Sequence, residues 1–323
     1  MKQAVTILGS GAWGCALAEV LAHRGNDVLM WCRESAIATE IATLHTNSTF
    51  LHGLTFHEKI KTTTDLKCAA QHSDLIFEAI PVAFLQSMLE QFKPFQNNHR
   101  WVILSKGIEQ NAFFLPSHIL DSVLGSVVKA ILSGPTYARD LIERHFSAAI
   151  LASHDELFRS ELIHLLASHY FHLVPSRDLE GVQIAGAIKN VLALAIGIAR
   201  GAGCKDNTLA FMMTAGMEEI AELIEFFGGD RRTTYGLAGL GDALLTCMGS
   251  LSKNQRAGVL FGQGKTLAQV NQELTTLPEG VNTAQALVRF MEREGLHFPI
   301  LAATYHFIFE GCGLDRFFKL VLK

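Results

Sequence analysis

The chain has 323 residues, which is long for one hydrophobic core and suits two domains. Hydrophobic residues make up 49 % and charged residues 18 %, a composition typical of a well-packed globular protein and not of a disordered one. The formal net charge of −4 gives no reason to expect a polyanionic partner, so we expect no binding to nucleic acid.

The six cysteines are scattered, with no CxxC pair and no cluster of histidine with cysteine. We interpret them as small core residues of a reducing compartment, and we expect neither a disulfide framework nor a metal site. A strand-like run follows Met1-Lys2-Gln3 directly, which leaves no room for a signal peptide. These features predict a cytoplasmic protein.

The first half of the chain alternates short β-branched runs with helical patterns. The strand candidates are Ala4–Leu8, Val28–Arg33, Leu75–Ile80, Trp101–Ser105, Ala130–Ser133 and Ala148–Leu151. Helical patterns fall between most of them, as at Trp13–His23, Val82–Phe92 and Phe113–Val123. Alternation at this spacing predicts an α/β domain with a doubly wound parallel sheet covered by helices on both faces.

The first predicted strand leads into the run Gly9–Gly14, which reads Gly-Ser-Gly-Ala-Trp-Gly and opens the first predicted helix. Such a run between a strand and a helix is typical of Rossmann-like dinucleotide-binding domains. Gly9 permits the tight turn, Gly11 lets the backbone approach a pyrophosphate, and Gly14 allows close packing of the helix on the sheet. Methyltransferases also carry glycine-rich first loops, so a transferase stays open at this point.

The start of that helix offers unpaired N–H groups and the positive end of the helix dipole to the phosphates. We therefore count Ala12 and Trp13, together with the three glycines, among the predicted cofactor-binding residues.

The end of the second predicted strand indicates which dinucleotide binds. Arg33 stands about where NAD-specific enzymes place an acid for the ribose 2′-hydroxyl. An arginine there can pair with a 2′-phosphate, so we expect NADP to be accepted. Glu34 is adjacent and could serve NAD. We predict use of both cofactors, with a preference for NADP.

After about Pro175 the character of the chain changes. From Asp178 onward the sequence shows long helical periodicity, glycine punctuation and almost no strand pattern. We predict a nucleotide-binding domain over residues 1–177 and an all-α domain over residues 178–323.

The all-α domain begins with the apolar run Gly186–Gly201, which carries one lysine, Lys189. Its neighbours at helical spacing are small or apolar: Ala185, Gly186, Leu192 and Ala193. An unpaired lysine there is costly, and desolvation lowers its pKa toward neutrality, which suits it to give and take a proton. The simpler alternative is a lysine whose stem lies on apolar surface while its head reaches water. The lysine and the bordering glycines argue against a membrane span.

Three further motifs accompany these two runs. They are Ser-Lys-Gly-Ile-Glu at 105–109, Ser-Gly-Pro-Thr-Tyr-Ala at 133–138, and Gly-Leu-Ala-Gly-Leu-Gly-Asp at 236–242. The third motif continues through Leu-Thr-Cys at 245–247 to Ser-Lys-Asn-Gln-Arg-Ala-Gly at 252–258. Together with Gly9–Gly14 and Gly186–Asn190 they resemble the bacterial NAD(P)-dependent glycerol-3-phosphate dehydrogenases. The resemblance runs from residue 4 to about residue 295.

That resemblance implies reversible hydride transfer between NAD(P)H and dihydroxyacetone phosphate, giving sn-glycerol 3-phosphate for glycerophospholipid synthesis. Reducing a ketone needs a hydride donor, a proton donor and stabilisation of the developing alkoxide. By resemblance Lys189 is the general acid, and Lys106 contacts cofactor and substrate at the end of a parallel strand. Asp242 binds substrate and would hold the Lys189 ammonium, although an aspartate after three glycines could simply cap a helix.

By resemblance the substrate phosphate binds at Ser252, Lys253 and Asn254, which precede a predicted helical run over Gln255–Phe261. The family usually has arginine where Lys253 stands, so this chain keeps the charge and loses the two-pronged geometry. Arg256 could compensate. Lys253 also counts among the predicted cofactor contacts. A charged loop that is merely solvated is the alternative.

The resemblance assigns five more residues. Gly134 and Thr136 match substrate contacts, Ala138 matches a cofactor contact, and Leu277 and Glu279 match positions that close over the nicotinamide end. Pro278 is a small departure, because the family more often has valines before that glutamate. A homodimer is the family expectation.

Two other classes of protein remain as alternatives. One is another two-domain dehydrogenase, such as a 3-hydroxyacyl-CoA or 3-hydroxyisobutyrate enzyme, although the fourteen histidines fall at no convincing strand end. The other is a dinucleotide-sensing module without catalysis, which would have no reason to keep Lys106, Lys189 and Asp242 together.

Overall fold

The computed structural model describes residues 2–249, 252–274 and 276–322. The chain forms two compact units. The first comprises the chain up to Lys106 together with Pro116–Leu179, and the second comprises Gly107–Leu115 and the chain from Glu180 onward.

Within the described residues the first unit contains one eight-stranded sheet. Its strands are β1 (Ala4–Leu8), β2 (Asp27–Trp31), β3 (Lys61–Thr63), β4 (Leu75–Glu78), β5 (Arg100–Ile103), β6 (Lys129–Ser133), β7 (Ser147–Ala152) and β8 (Phe171–Ser176). They lie in the order β3-β2-β1-β4-β5-β6-β7-β8. The strand order reverses between β1 and β4, which is where open α/β sheets bind ligands.

The predicted doubly wound sheet is confirmed, with three differences. The strand β7 pairs antiparallel with β6, so β7 and its parallel neighbour β8 run against the other six strands. The short edge strand β3 was not predicted, because Lys-Thr-Thr carries no apolar alternation. The strand β8 was missed as well, because Pro175 argues against a strand, yet an edge strand tolerates proline.

Seven α-helices are described in the first unit. They are α1 (Ala12–His23), α2 (Ser35–Leu44), α3 (Leu66–His72), α4 (Val82–Phe92), α5 (Pro116–Leu124), α6 (Ala138–Ile142) and α7 (Glu156–Leu166). The predicted helix over Val82–Phe92 is confirmed. The one predicted from Phe113 begins at Pro116 instead, because Phe113 has a φ of +62°, outside the helical region.

The remaining described helices make the second unit all-α, as predicted. They are α8 (Leu179–Gly201), α9 (Asp206–Phe226), α10 (Asp242–Met248), α11 (Lys253–Gly262), α12 (Leu267–Leu274), α13 (Glu279–Glu294), α14 (Pro299–Phe309) and α15 (Leu314–Val321), with a 3₁₀ turn at Arg231–Tyr235 and a π-helical turn at Leu237–Gly241. Of the described helices, α8 alone is long and apolar enough to cross a membrane, and its apolar stretch is entirely buried in the protein core.

The predicted boundary after residue 177 assigned Gly107–Leu115 to the first domain, and the structure places this segment in the second unit. The reason is its apolar side chains. Ile108, Phe113 and Leu115 belong to the core of the helical unit, and the Phe113 ring stacks on Phe290 with 4.1 Å between centroids. Burial of these side chains in the helical core stabilises the segment there.

The helices α8 and α11 cross with their backbones in contact. A Cβ added to Gly197 of α8 would lie 2.8 Å from the Cα of Gly258 in α11, and a Cβ on Gly258 would overlap the carbonyl oxygen of Leu194. Gly201 and Gly262 face the opposite helix at similarly close range. This crossing fixes the start of α11 against the helix that carries Lys189.

We expect Gly258→Ala to lower the free energy of unfolding by about 2–4 kcal/mol, because the clash is with backbone that cannot turn aside. The matched control is Gly313→Ala, where an added Cβ would meet no atom within 4 Å. That change should cost less than about 1 kcal/mol. Urea unfolding of both variants measures the difference, and equal stabilities would contradict the close crossing.

Candidate active site

The glycine-rich loop joins β1 to α1. Gly9 has a φ of +115°, and a Cβ added there would lie 2.6 Å from the carbonyl oxygen of Ala79. A Cβ at Gly14 would overlap the carbonyl oxygen of Gly9. Both positions therefore require glycine, the first for its backbone angle as well as for space.

Gly11 has the opposite environment. A Cβ added to Gly11 would meet no atom within 4 Å, so the backbone there borders open space. Gly11 is the N-cap of α1, and no acidic side chain lies in the first turn of that helix. Ala12 and Trp13 are its first two residues and are half-buried. Open space at a helix N-terminus, without a competing carboxylate, fits the pyrophosphate of a dinucleotide.

Arg33 and Glu34 follow β2 and pair with each other. The Arg33 Nε donates to Glu34 Oε1 at 2.7 Å, and the guanidinium lies 5.7 Å from the ring centroid of Phe84. The Arg33 side chain is 68 % exposed, so solvent screening makes the ion pair weak and easily exchanged for a ligand phosphate. The pair presents one group suited to a 2′-phosphate and one suited to a 2′-hydroxyl.

We expect Arg33→Asp to shift the ratio of kcat/KM values from NADPH toward NADH by at least about tenfold, because a carboxylate accepts from a ribose hydroxyl and repels a phosphate. Glu34→Gln should move the ratio toward NADPH, since it removes the adjacent negative charge. Steady-state kinetics with both cofactors measures the shift. An unchanged ratio in Arg33→Asp would show that Arg33 does not contact the 2′ position.

Three of the predicted site residues meet where β5 and β6 end. The ammonium of Lys106 donates to the carbonyl oxygen of Gly134 at 3.4 Å, and the hydroxyl of Thr136 donates to the same oxygen at 3.2 Å. A side chain at Gly134 would come within 2.7 Å of the Cα of Ala149. Glycine there lets the loop cross β7 closely. Ala138, half-buried, begins α6 just beyond.

A buried glutamate lies next to this group and was not predicted as a site residue. Glu78 ends β4 and is fully buried, and its Oε2 accepts from the hydroxyl of Ser105 at 2.7 Å. Burial raises the pKa of Glu78 to about 7, against hydrogen bonds that favour the charged form.

The second unit holds Lys189, Asp242 and Thr246 together. The Lys189 Nζ lies 2.5 Å from Asp242 Oδ1 and donates to Thr246 Oγ1 at 2.8 Å. The Thr246 hydroxyl donates to the Asp242 backbone carbonyl at 2.7 Å, so its lone pairs face the lysine. All three residues are buried, with 6 %, 2 % and 7 % of their surface exposed. Thr246 lies within the motif Leu-Thr-Cys at 245–247, but its role was not predictable from the sequence.

The Asp242 carboxylate holds the Lys189 ammonium, as the resemblance implied. The alternative of a lysine whose head reaches water is wrong, because Lys189 is buried. Asp242 is not the N-cap of α10 but its first residue, because the chain enters through a π-helical turn that puts Gly241 at the cap. The Cys247 thiol nearby stays protonated, since burial raises its pKa to about 12.

Asn254 connects three parts of the second unit. Its Nδ2 donates to Asn190 Oδ1 at 3.0 Å, and its Oδ1 accepts from the backbone N–H of Gly280 at 3.0 Å. A Cβ on Gly280 would lie 2.7 Å from the Asn190 carbonyl oxygen, so only glycine admits this approach. Asn190, directly after Lys189, is a contact that the sequence analysis missed.

The predicted phosphate loop is the start of α11. Ser252 is the N-cap, and its Oγ accepts from the Gln255 backbone N–H at 3.2 Å. Lys253 and Asn254 are therefore the first residues of the helix and do not precede it, because the serine cap begins the helix earlier than predicted. The Lys253 side chain is exposed, as is that of Arg256. Ser250 and Leu251 lie outside the described residues.

Leu277 and Glu279 flank the start of α13. Pro278 is its N-cap and is buried, Glu279 is its exposed first residue, and Leu277 packs partly on the helical core. The hydrogen bond between Gly280 and Asn254 places both residues beside the start of α11. Among the residues that the structure describes, no three His, Cys, Asp or Glu side chains gather as metal ligands.

Comparison with known proteins gives the family. The models for the N-terminal and C-terminal parts of NAD-dependent glycerol-3-phosphate dehydrogenase match residues 4–159 and 178–319. The chain belongs to the glycerol-3-phosphate dehydrogenase family. The family's solved structures agree with the fold: the glycerol-3-phosphate dehydrogenase of Coxiella burnetii superposes with a TM-score of 0.95 at 30 % identity, covering 100 % of this chain and 99 % of that one.

Curated relatives extend over nearly the whole chain. Glycerol-3-phosphate dehydrogenase [NAD(P)+] of Bacillus subtilis is 37 % identical over 95 % of this chain and 90 % of its own length. The enzyme of the same name from Macrococcus caseolyticus is 34 % identical over 99 % of this chain and 97 % of its own length. The expected Rossmann-type dehydrogenase family is confirmed.

Proposed function

We propose that this protein is a glycerol-3-phosphate dehydrogenase, which reversibly reduces dihydroxyacetone phosphate to sn-glycerol 3-phosphate with NADPH or NADH. The observation that carries the mechanism is the buried ammonium of Lys189, held by Asp242 and Thr246. Two side chains fix the position of the Lys189 Nζ, as positioning a proton donor at a ketone oxygen requires.

The nicotinamide cofactor supplies the hydride when bound, and the chain's own residues supply the proton. Lys189 donates a proton to the carbonyl oxygen as the alkoxide develops, and it takes that proton back in the oxidation direction. The Asp242 carboxylate holds the ammonium by an ion pair, and Thr246 fixes the position of Nζ. Burial excludes water, which strengthens the electrostatic stabilisation of the alkoxide.

The remaining residues hold the two ligands. Gly9, Gly11 and Gly14 with the start of α1 receive the pyrophosphate, and Arg33 with Glu34 faces the 2′ position. Lys106 contributes a positive charge from the end of β5.

The start of α11 receives the substrate phosphate. The N–H groups of the first helical turn, the Lys253 ammonium and the positive end of the helix dipole all favour an anion there. The Asn254 side chain, at this helix start, donates a hydrogen bond to Asn190, which directly follows Lys189 in the chain. The substrate phosphate and the proton donor are thereby held on elements that are fixed to each other.

The test is oxidation of sn-glycerol 3-phosphate with NADP⁺ and NAD⁺. We expect reduction of both cofactors with this substrate, and none with sn-glycerol 1-phosphate, 3-hydroxyisobutyrate or a 3-hydroxyacyl-CoA. Turnover of either hydroxyacid instead would support the alternative dehydrogenase class. Binding of NADPH without turnover of any substrate would support a sensing module.

We propose a homodimer in the cytoplasm. Large apolar side chains of the helical unit are exposed, among them Phe211, Phe226, Leu244 and Met248, and a subunit interface would bury them. Light scattering of the purified protein tests the dimer, and the mass of a monomer would contradict it.

The cysteines support the cytoplasmic location. All six are unpaired, as in a reducing compartment; four of them are buried and Cys68 is exposed.

A further inference from the structure

We propose that Glu78 is a positioning residue for Lys106, which it acts on through its hydrogen bond with Ser105. The inference rests on the proposed function, because that assigns Lys106 to the site. The family resemblance pointed to Lys106 and gave no role to the glutamate on the neighbouring strand.

The geometry connects the ends of two adjacent strands. Glu78 is the last residue of β4, and its register partner on β5 is Ile103. Its Oε2 accepts from the Ser105 hydroxyl at 2.7 Å, and its Oε1 accepts from the Ile80 backbone N–H at 2.6 Å. The backbone N–H of Ser105 also faces the carboxylate. One buried side chain therefore holds the residue immediately before Lys106.

A merely structural role does not explain this choice of residue. Valine or isoleucine would fill a fully buried strand position and leave the backbone pairing of the sheet intact. A buried carboxyl is costly unless its hydrogen bonds repay desolvation. Here those bonds go to the segment that carries Lys106 and to the turn before α4.

Protonation changes the direction of the Glu78–Ser105 hydrogen bond. In the charged form both carboxylate oxygens accept, from Ser105 and from Ile80. In the neutral form Oε1 still accepts from Ile80, so the acid proton lies on Oε2 and donates to the serine hydroxyl. The charged form holds Ser105 more strongly, because hydrogen bonds to an ionised group are roughly twice as strong as neutral ones.

Few other groups can interfere with this titration. On β1, the residue that pairs with Glu78 is the apolar Leu8. The first titratable residue after Leu8 in the chain is the buried Cys15, and burial raises the pKa of its thiol to about 12. Along β5 the first charged side chain past the strand is Lys106 itself, and α4 carries none before Glu90. With a pKa of about 7, Glu78 changes state in the pH range where the enzyme would work.

The experiment compares wild type with Glu78→Gln across pH. The amide reproduces the protonated geometry, since its oxygen can accept from Ile80 and its nitrogen can donate to Ser105. We expect equal kcat/KM values for dihydroxyacetone phosphate at about pH 5.5, and a deficit in the variant of about 5- to 10-fold at about pH 8.5, with a midpoint near 7. Ser105→Ala should show the same deficit at high pH. A ratio that does not change with pH in both variants would overturn the proposal.

Glu219→Gln is the matched control. Glu219 is also a buried glutamate whose pKa burial raises to about 7, but it accepts from the backbone N–H groups of Ile300 and Leu301 at the start of α14. Because the pKa of Glu219 is raised in the folded protein, its contribution to stability is greatest below the ordinary glutamate pKa and is lost as the pH rises through about 7. The melting temperature of wild type should therefore fall over this pH range. Glu219→Gln should reduce that fall and leave the pH profile of kcat/KM unchanged. A changed profile there would show that the effect is global stability.

Amide hydrogen exchange of the cofactor-free protein separates failure of this inference from failure of the proposed function. At about pH 5.5 the peptide containing Ser105 and Lys106 should exchange equally in wild type and Glu78→Gln, and at about pH 8.5, where only wild type carries the charge, the two exchange rates should differ. Equal exchange at both values would contradict the inference, whatever reaction the enzyme catalyses.

Discussion

Replacing Lys189 with methionine is expected to lower kcat for dihydroxyacetone phosphate reduction by at least about 100-fold, because the thioether has no proton to donate. The same change leaves the Asp242 carboxylate buried without its partner. Loss of one partner of a buried ion pair costs about 3–5 kcal/mol, so the variant should also be less stable. Chemistry and stability must therefore be separated.

The double variant Lys189→Met with Asp242→Asn makes that separation. Neutralising Asp242 removes the uncompensated charge, so most of the lost stability should return while turnover stays low. Chemical unfolding and steady-state kinetics on the two variants measure these effects. Turnover within about threefold of wild type in either folded variant would leave Lys189 a structural residue.

Removing the charge of Lys253 is expected to lower kcat/KM for dihydroxyacetone phosphate by about 10- to 150-fold, since a charged hydrogen bond to phosphate contributes about 1.5–3 kcal/mol. Lys253→Arg should keep activity, because a guanidinium bonds two phosphate oxygens at once. The family usually has arginine there, so this chain tests whether lysine suffices.

Two controls locate the effect of Lys253. Dihydroxyacetone lacks the phosphate, so it should be a poor substrate for wild type and for Lys253→Ala alike. Arg256→Ala removes another exposed charge of the same helix, one turn further from its start, and should cost less than Lys253→Ala. If Lys253→Ala damaged both substrates by the same factor, the lysine would act on the cofactor or the fold, and the phosphate would bind elsewhere.

Patterns of local sequence were enough to predict most of the sheet and the change to an all-α unit. The strands β1, β2, β4, β5, β6 and β7 lie within two residues of the predicted bounds, since each is a short β-branched or apolar run between turn residues. The edge strand β8 and the antiparallel direction of β7 were not predictable in this way, because both depend on pairing across the sheet.

The site was predictable where a motif has one physical reading. Gly9 and Gly14 show the close approaches expected of a dinucleotide loop, and Asp242 lies against Lys189 as the resemblance implied. Thr246, Asn190 and Glu78 were missed because a threonine, an asparagine or a glutamate within an apolar run has many ordinary explanations. Only the folded chain shows that Thr246 lies one helical turn after Asp242 and faces the same ammonium.

The central claim is tested most directly by following the absorbance of reduced nicotinamide in wild type with and without dihydroxyacetone phosphate. The account predicts rapid oxidation of NADPH, slower oxidation of NADH, and none of either without the substrate. Absence of oxidation by a folded protein that binds NADPH would contradict the assignment of this chain as a glycerol-3-phosphate dehydrogenase.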